Sequence, residues 1–415
     1  GYSLAMGIMM PLTAFLITRF PTRKLYLSAI LCFIMGLVIC VIAPNFTVMM
    51  LGRILQACGN GLLTSMAQVI LLTIYPPHKK GTIMGWYGLS VGAAPVIAPT
   101  LAGILVDSMG WRMIFYIAIA IMVVSLVYAF FVFDNVLDTV KKKFDVLSFV
   151  VSALAFGGIT LGVGNVSSAP FVSVQVLVPL AVGCVASVFF VYRQLHMDAP
   201  FLELRTLKNR SYTLSVIGSM LLYLVMMGSS IIMPLYVQSI MECSATISGL
   251  VTLPGSLAMA IVSPFAGKIY DKIGIKKLFV AGAACMLLSN LGMCFITLQT
   301  SIWLAAFYNV IRCIAIGCLM MPLVTWGISG MKSQWTAHGT ALLTSLRTIA
   351  GAIGSAVFVG IMTGVASVSG YSDPSQASMY GLNIAFLAMS IATLALLATA
   401  IFLVKPDQQR KKGCV

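Results

Sequence analysis

Thirteen apolar runs divide this chain, at roughly 1–18, 25–43, 47–74, 82–106, 112–133, 146–166, 171–192, 212–240, 246–267, 278–298, 302–329, 340–367 and 382–404. A helix needs about 20 apolar residues to cross a bilayer, and in lipid every backbone N–H and C=O must be satisfied inside its own segment. The pattern therefore predicts an all-α integral membrane protein with thirteen spans. Composition leaves no soluble alternative: the 415 residues are 60% hydrophobic and 8% charged, with a mean hydropathy of +1.04, too apolar to hide in one water-soluble core. Runs longer than a bilayer is thick predict tilt or projection into water.

The net charge of +15 is distributed, not clustered. If the first run ends in the cytoplasm, the cytoplasmic turns collect Arg19, Arg23, Lys24, Lys79, Lys80, Lys141–Lys143, Arg193, Arg205, Lys208, Arg210, Lys268, Lys272, Lys276, Lys277, Lys332, Lys405 and Arg410–Lys412. The opposite turns hold only Arg112. This asymmetry is the positive-inside rule, and it predicts a multi-pass protein of the cell membrane with a cytoplasmic C-terminus. The lipid bilayer is the expected partner of the basic tail, 405–415. No turn is long enough for a nucleic-acid-binding domain. Eight of the ten cysteines fall inside spans with no metal-ligand spacing, and His78, His196 and His338 are read as solvated turn residues. Neither a cofactor, a metal nor an enzyme active site is expected.

One short basic turn is written twice. "AFLITRFPTRKLYL" at 14–27 and "GKIYDKIGIKKLFV" at 267–280 each close an apolar run, with Arg23 and Lys24 matching Lys276 and Lys277. The second copy lies after the second run of a six-run C-terminal half, whereas the first closes the opening run. Two homologous bundles then imply an N-terminal half at 1–134 with five of six helices. Two inserted central helices follow at 135–192, then a cytoplasmic linker at 193–211, a six-helix C-terminal bundle at 212–404 and the tail. A chain starting at Gly1 fits the expectation of a fourteen-span protein without its first span.

Gly267, Asp271, Gly274, Lys276 and Lys277 resemble the signature loop of the major facilitator superfamily, G-x-x-x-D-x-x-G-x-(K/R)-(K/R). "RILQACGNG", residues 53–61, is similar to that family's R-x-x-Q-G-x-G helix. Residues 88–115 resemble its antiporter helix, with Ala98, Pro99, Ala102 and Gly103 at the G-P-x-x-G-G places and Trp111 to Phe115 as W-R-x-I-F. With two extra central helices, the chain looks like a fourteen-span drug–proton antiporter of the EmrB/QacA type. The resemblance implies export of small amphipathic molecules in exchange for protons by alternating access.

Chemistry can be attached to these places independently. A carboxylate at Asp271, where a span ends, can cap a neighbouring helix N-terminus and so latch the cytoplasmic gate; a plain topology anchor is the alternative. The front copy has Ala14, Thr18 and Pro21 at the corresponding places, leaving Thr18 to cap through its hydroxyl as a weaker latch. Gly88, Gly92 and Gly103 with Pro95 and Pro99 permit close helix approach and a bent rod, with or without a mechanistic role. Gly351, Gly354, Gly360 and Gly364 repeat the pattern in the second half.

Three arginines interrupt spans. At about 1.5 Å per residue, Arg53 lies roughly 9 Å below the outer surface and Arg312 near the midplane, which marks both as functional candidates. The resemblance gives Arg53 a part in proton coupling. Arg347, nearer the cytoplasmic face, is expected to snorkel. Tyr223, Met226, Met227 and Gln238 on run 212–240 suggest a soft substrate cavity. No carboxylate lies deep in a span, so the coupling acid is expected upstream of Gly1. A metabolite carrier on the same fold, and a non-transporting sensor or remnant, remain alternatives. The oligomeric state is not written in these patterns.

Overall fold

The computed structural model describes residues 2–137, 139, 144–166, 173–197 and 200–404, and the side chains of these except 2–4, 93, 95–104, 106–108, 245 and 333. The tail and the Lys141–Lys143 run lie outside the described residues. Thirteen α-helices follow one another: α1 (Tyr2–Arg19), α2 (Thr22–Ile42), α3 (Phe46–Ile74), α4 (Lys80–Met109), α5 (Arg112–Val132), α6 (Val146–Asn165), α7 (Val174–His196), α8 (Arg210–Leu235), α9 (Ala245–Ile273), α10 (Ile275–Cys294), α11 (Ile302–Ser329), α12 (Ser333–Val368) and α13 (Pro374–Ala398). Among the described residues, eleven are long and apolar enough to cross a membrane, and α1 contributes a shorter apolar stretch, Ala5–Arg19.

Helix starts follow from capping chemistry. Asn45, Asp145, Asn209 and Ser244 each accept a bond from a first-turn N–H of the helix they precede, satisfying donors that have no partner within the helix. Gly274 separates α9 from α10 with φ +77°, a conformation that costs a side-chain-bearing residue energy. Two stretches expected as loops are partly helical. Asp373 caps α13, which therefore begins at Pro374 within the expected outer turn, and Leu204–Lys208 forms a 3-10 turn inside the linker. Local capping outweighs low hydropathy at both places.

The first five helices and the last six form two groups related by an approximate two-fold. α4 packs along α9, and α1 packs against α12, so equivalent helices make the two flanks of the contact. α6 and α7 form a hairpin, and α6 also packs on α1 and α12. At the end bearing the basic turns, called here the basic face, this hairpin is tied to the linker. Arg193 Nη2 donates to Asp145 Oδ2 at 2.9 Å, Gln194 Nε2 donates to Ser148 Oγ, and the Leu202 N–H donates to Gln194 Oε1. Phe15 of α1, Phe144 and Phe201 close a ring cluster over it.

Burial alone would raise the Asp145 carboxyl, but hydrogen bonds from Ser148 and Arg193 outweigh it and hold the group below its ordinary value. Its contribution to the hairpin is therefore present above the ordinary carboxylate range and lost as pH falls through the lowered value. Arg193→Ala is expected to loosen the linker by about 1 kcal/mol at neutral pH, read as faster amide exchange over residues 200–208. The unaltered protein should show that acceleration only in acid. Equal exchange in both proteins at neutral pH would remove the tether from the account.

Candidate functional site

A cavity of about 750 Å³ lies between the two groups, walled by α1, α3, α4, α6, α8, α11 and α12. Methionines make much of its surface: Met6, Met10, Met227, Met320 and Met321. Such side chains adapt to irregular ligand shapes. Its polar residues include Thr64, Thr160, Asn165 and Ser355. Gln68 comes from α3, Tyr87 from α4, Tyr223 from α8, and Thr344, Arg347 and Thr348 from α12. On α8, positions 223, 227 and 231 repeat every fourth residue and share one face, which is why Tyr223 and Met227 reach the cavity.

Met226 and Gln238 depart from expectation. Met226 lies on the adjoining face of α8, packed into the core, and Gln238 is exposed in a π-helical turn, Tyr236–Ile240, beyond the end of α8. Arg347 departs further. Instead of snorkelling it is 4% exposed, its guanidinium carbon lies 4.8 Å from the Tyr223 ring centroid, and it faces the cavity. Position 347 belongs with 344, 348 and 351 to the face that α12 turns inward, and depth measured along a helix axis cannot tell inward from outward. The signal available was that face itself, with a threonine one turn before the arginine and another directly after it.

The two groups are closed toward the basic face by a seam of glycines. A Cβ on Gly267 of α9 would collide with the Gly81 carbonyl oxygen of α4, and one on Gly85 would meet the Ser263 carbonyl at 2.7 Å. Gly88 faces Met321 at 2.8 Å, and Gly92 faces the Met259 methyl at 3.2 Å. Contact is thus tightest at Gly81, Gly85 and Gly267 and looser toward Gly92. α4 continues through positions 95, 99 and 103, but the expectations for the side chains of Pro95 and Pro99, and for Gly103, fall outside the described residues. On α12, Gly351 and Gly354 meet Met227 and Leu224 of α8, whereas positions 360 and 364 face open space.

Asp271 sits at the basic end of this seam. Its Oδ1 accepts from the Gly81 N–H at 3.0 Å, and its Oδ2 accepts from the Thr82 N–H at 2.6 Å and the Thr82 hydroxyl at 2.7 Å. The carboxylate therefore caps α4, a helix of the other group, where free N–H groups and the helix dipole favour negative charge. Lys276 is half-buried and Lys277 exposed.

The front copy does not mirror this. Thr18 donates to the Ala14 and Phe15 carbonyls of its own helix, so it caps no neighbour: a hydroxyl on a helix interior finds its own preceding turn first. Arg23 donates its backbone N–H to Asn135 Oδ1 and its guanidinium to the Phe130 carbonyl, closing the end of α5, while Lys24 is exposed.

Arg53 and Arg312 are not brought together, and neither lines the cavity. They occupy related places. Arg312 on α11 bonds Asn309 at 2.6 Å and lies over Phe386 of α13; Arg53 on α3 bonds Gln56 at 3.3 Å and lies over Phe115 of α5. Arg312 is 1% exposed, as its depth suggested, whereas Arg53 is exposed. The difference is α8, which packs across α11 and α12; among the described residues no helix does the same for α3 and α4. Arg112 of the W-R-x-I-F stretch donates to the Val41 and Ala43 carbonyls and so closes the end of α2. His338 also differs from expectation. It is buried in α12 because that helix begins at Ser333, not near 340.

The sequence pattern of the Major Facilitator Superfamily matches residues 1–355. The chain belongs to that superfamily. It is accordingly a multi-pass secondary transporter and not an enzyme. The uncharacterized MFS-type transporter YcnB of Bacillus subtilis (strain 168) is 35% identical over 409 residues, covering 98% of this chain and 86% of that protein. The lincomycin resistance protein LmrB of the same organism is 34% identical over 422 residues, covering 96% and 85%. The crystal structure of the human organic anion transporter MFSD10 (TETRAN) shares the fold at a TM-score of 0.67 and 14% identity, covering 94% of this chain and 82% of that one.

Proposed function

We propose that this transporter exports small amphipathic molecules across the cell membrane in exchange for protons, by alternating access. The observation that carries the reading is a methionine-rich cavity between two groups of helices, closed toward one membrane face by a glycine seam and a charge–dipole latch. Rocking the groups apart at that seam would expose the same cavity to the other side. The excess of lysine and arginine in the basic turns supports a cytoplasmic closed face, with the C-terminus on the same side. Similarity to a lincomycin resistance protein supports drugs as the exported class.

We further propose the fourteen-span antiporter architecture, with a first helix that would lie against α3 and α4 as α8 lies against α11 and α12. The exposure of Arg53 beside the burial of Arg312 supports it. Such a helix would be the place for the titrating acid, because no Asp or Glu lines the cavity among the described residues and an arginine keeps its proton.

The test is efflux of a fluorescent amphiphile from proteoliposomes under an imposed pH gradient, with and without the native upstream segment. Gradient-driven efflux only with that segment is expected. Full coupling without it would move the titrating role to a residue described here, and transport indifferent to the gradient would end the antiport reading.

A further inference from the structure

Among the described residues, the cavity wall carries one buried positive charge and no negative one. Arg347 is 4% exposed, and its Nε and Nη1 reach no hydrogen-bond acceptor among the described residues. Gln68, 1% exposed, has only the neighbouring Tyr87 hydroxyl for its amide, and the Thr344 hydroxyl, in a 2% exposed residue, is without a partner among the described residues. These groups come from both halves: Gln68 stands on α3, and Thr344 and Arg347 on α12, all on one cavity. Tyr87, beside Gln68, and Tyr223, whose ring lies under the guanidinium, complete the polar patch. Methionine and aliphatic side chains make most of the remaining wall, with the smaller polar groups of Thr64, Thr160, Asn165, Thr348 and Ser355 among them.

Buried polar groups are nearly always hydrogen-bonded, and a buried charge without an acceptor is costly. The unpaired donors of Arg347 and Thr344, with the Gln68 amide beside them, are explained together if a ligand supplies the acceptors. The ligand must then offer oxygens to a guanidinium, a primary amide and a hydroxyl while filling an apolar chamber. We infer that the cavity binds amphipathic molecules through an oxyanion, a carboxylate, sulfonate or phosphate on an apolar body, with Arg347 reading the charge and Gln68 orienting it.

A planar guanidinium held against a ring presents its fork to such a group in a fixed direction. A lipophilic cation would meet Arg347 with no carboxylate on the wall to offset it. This inference rests on the reading of the cavity as the transport site, and it fixes the chemical class of what is carried.

Binding tests it without requiring transport. An N-dansyl amino acid, its methyl ester and a dansylated diamine share a body and differ in charge, and each can be titrated by fluorescence into the protein in zwitterionic nanodiscs. The acid is expected to bind about 10- to 100-fold more tightly than the ester, the value of one charge-assisted bond, and the diamine most weakly. Arg347→Gln should erase the preference for the acid and Arg347→Lys should keep part of it. Ester or diamine binding as tightly as the acid in the unaltered protein would overturn the inference, as would an undiminished preference in Arg347→Gln.

Nanodiscs containing phosphatidylglycerol separate the two sources of oxyanion. Unchanged acid affinity there keeps the assignment to small molecules. Competition lost in Arg347→Gln would give the site to a lipid headgroup and overturn it. Should gradient-driven efflux fail while the acid preference stands, the export reading falls and the anion site does not.

Discussion

Gly267→Leu is expected to abolish transport while leaving insertion in the membrane intact. The Cβ alone would collide with the Gly81 carbonyl oxygen. Both partners are backbone in packed helices, so neither can yield as a flexible side chain would. Overpacking of this kind costs about 1–3 kcal/mol for a few extra methylenes. That is enough to shift a two-state gate by about 10- to 100-fold, and leucine adds further atoms in the same seam. Gly267→Ala should already slow turnover. Gly92→Ala should be mild, because its nearest neighbour is the free methyl of Met259 at 3.2 Å, and Gly364→Ala, in open space, should be neutral. Proteoliposome efflux measured across these four variants gives the order directly. A Gly267→Leu protein that transports normally, or a Gly364→Ala protein that fails equally, would separate transport from the seam.

Asp271→Asn is expected to favour opening at the basic face. The carboxylate accepts from two backbone N–H groups and a hydroxyl. An asparagine keeps one oxygen but turns an NH₂ group toward an N–H donor. The dipole term is worth about 0.3–1 kcal/mol and a hydrogen bond to a charged group about 1.5–3 kcal/mol. A loss of about 2–3 kcal/mol in the closed state moves its population by about 30- to 150-fold. The readout is alkylation of a cysteine placed at Tyr87, which faces the cavity, by a membrane-impermeant reagent applied from the basic face. Faster labelling and slower efflux are expected. Unchanged labelling would leave Asp271 as a determinant of topology alone.

Hydropathy and charge by themselves determined that this chain is a bundle of membrane helices, eleven of them long and apolar enough to span among the described residues, with its basic turns on one face. Those properties depend on exclusion from water, which acts on each segment separately. The glycines of α4 were legible as surfaces of close approach for a similar reason: a missing side chain permits contact whatever the partner; Gly267 of α9 was read only as part of the basic turn. Partners were not legible. Asp271 caps a helix 190 residues away, Thr18 turns back on its own helix, and of two arginines related by the approximate two-fold one is buried and the other exposed. Arg347 reaches the cavity while Met226, on the same helix as Met227, does not. Lipid is as apolar as a protein interior, so composition along a span does not say which face meets lipid, another helix or a cavity. Only the packing of α4 on α9 and α1 on α12 decides that, and with it which buried polar groups stand together on one wall.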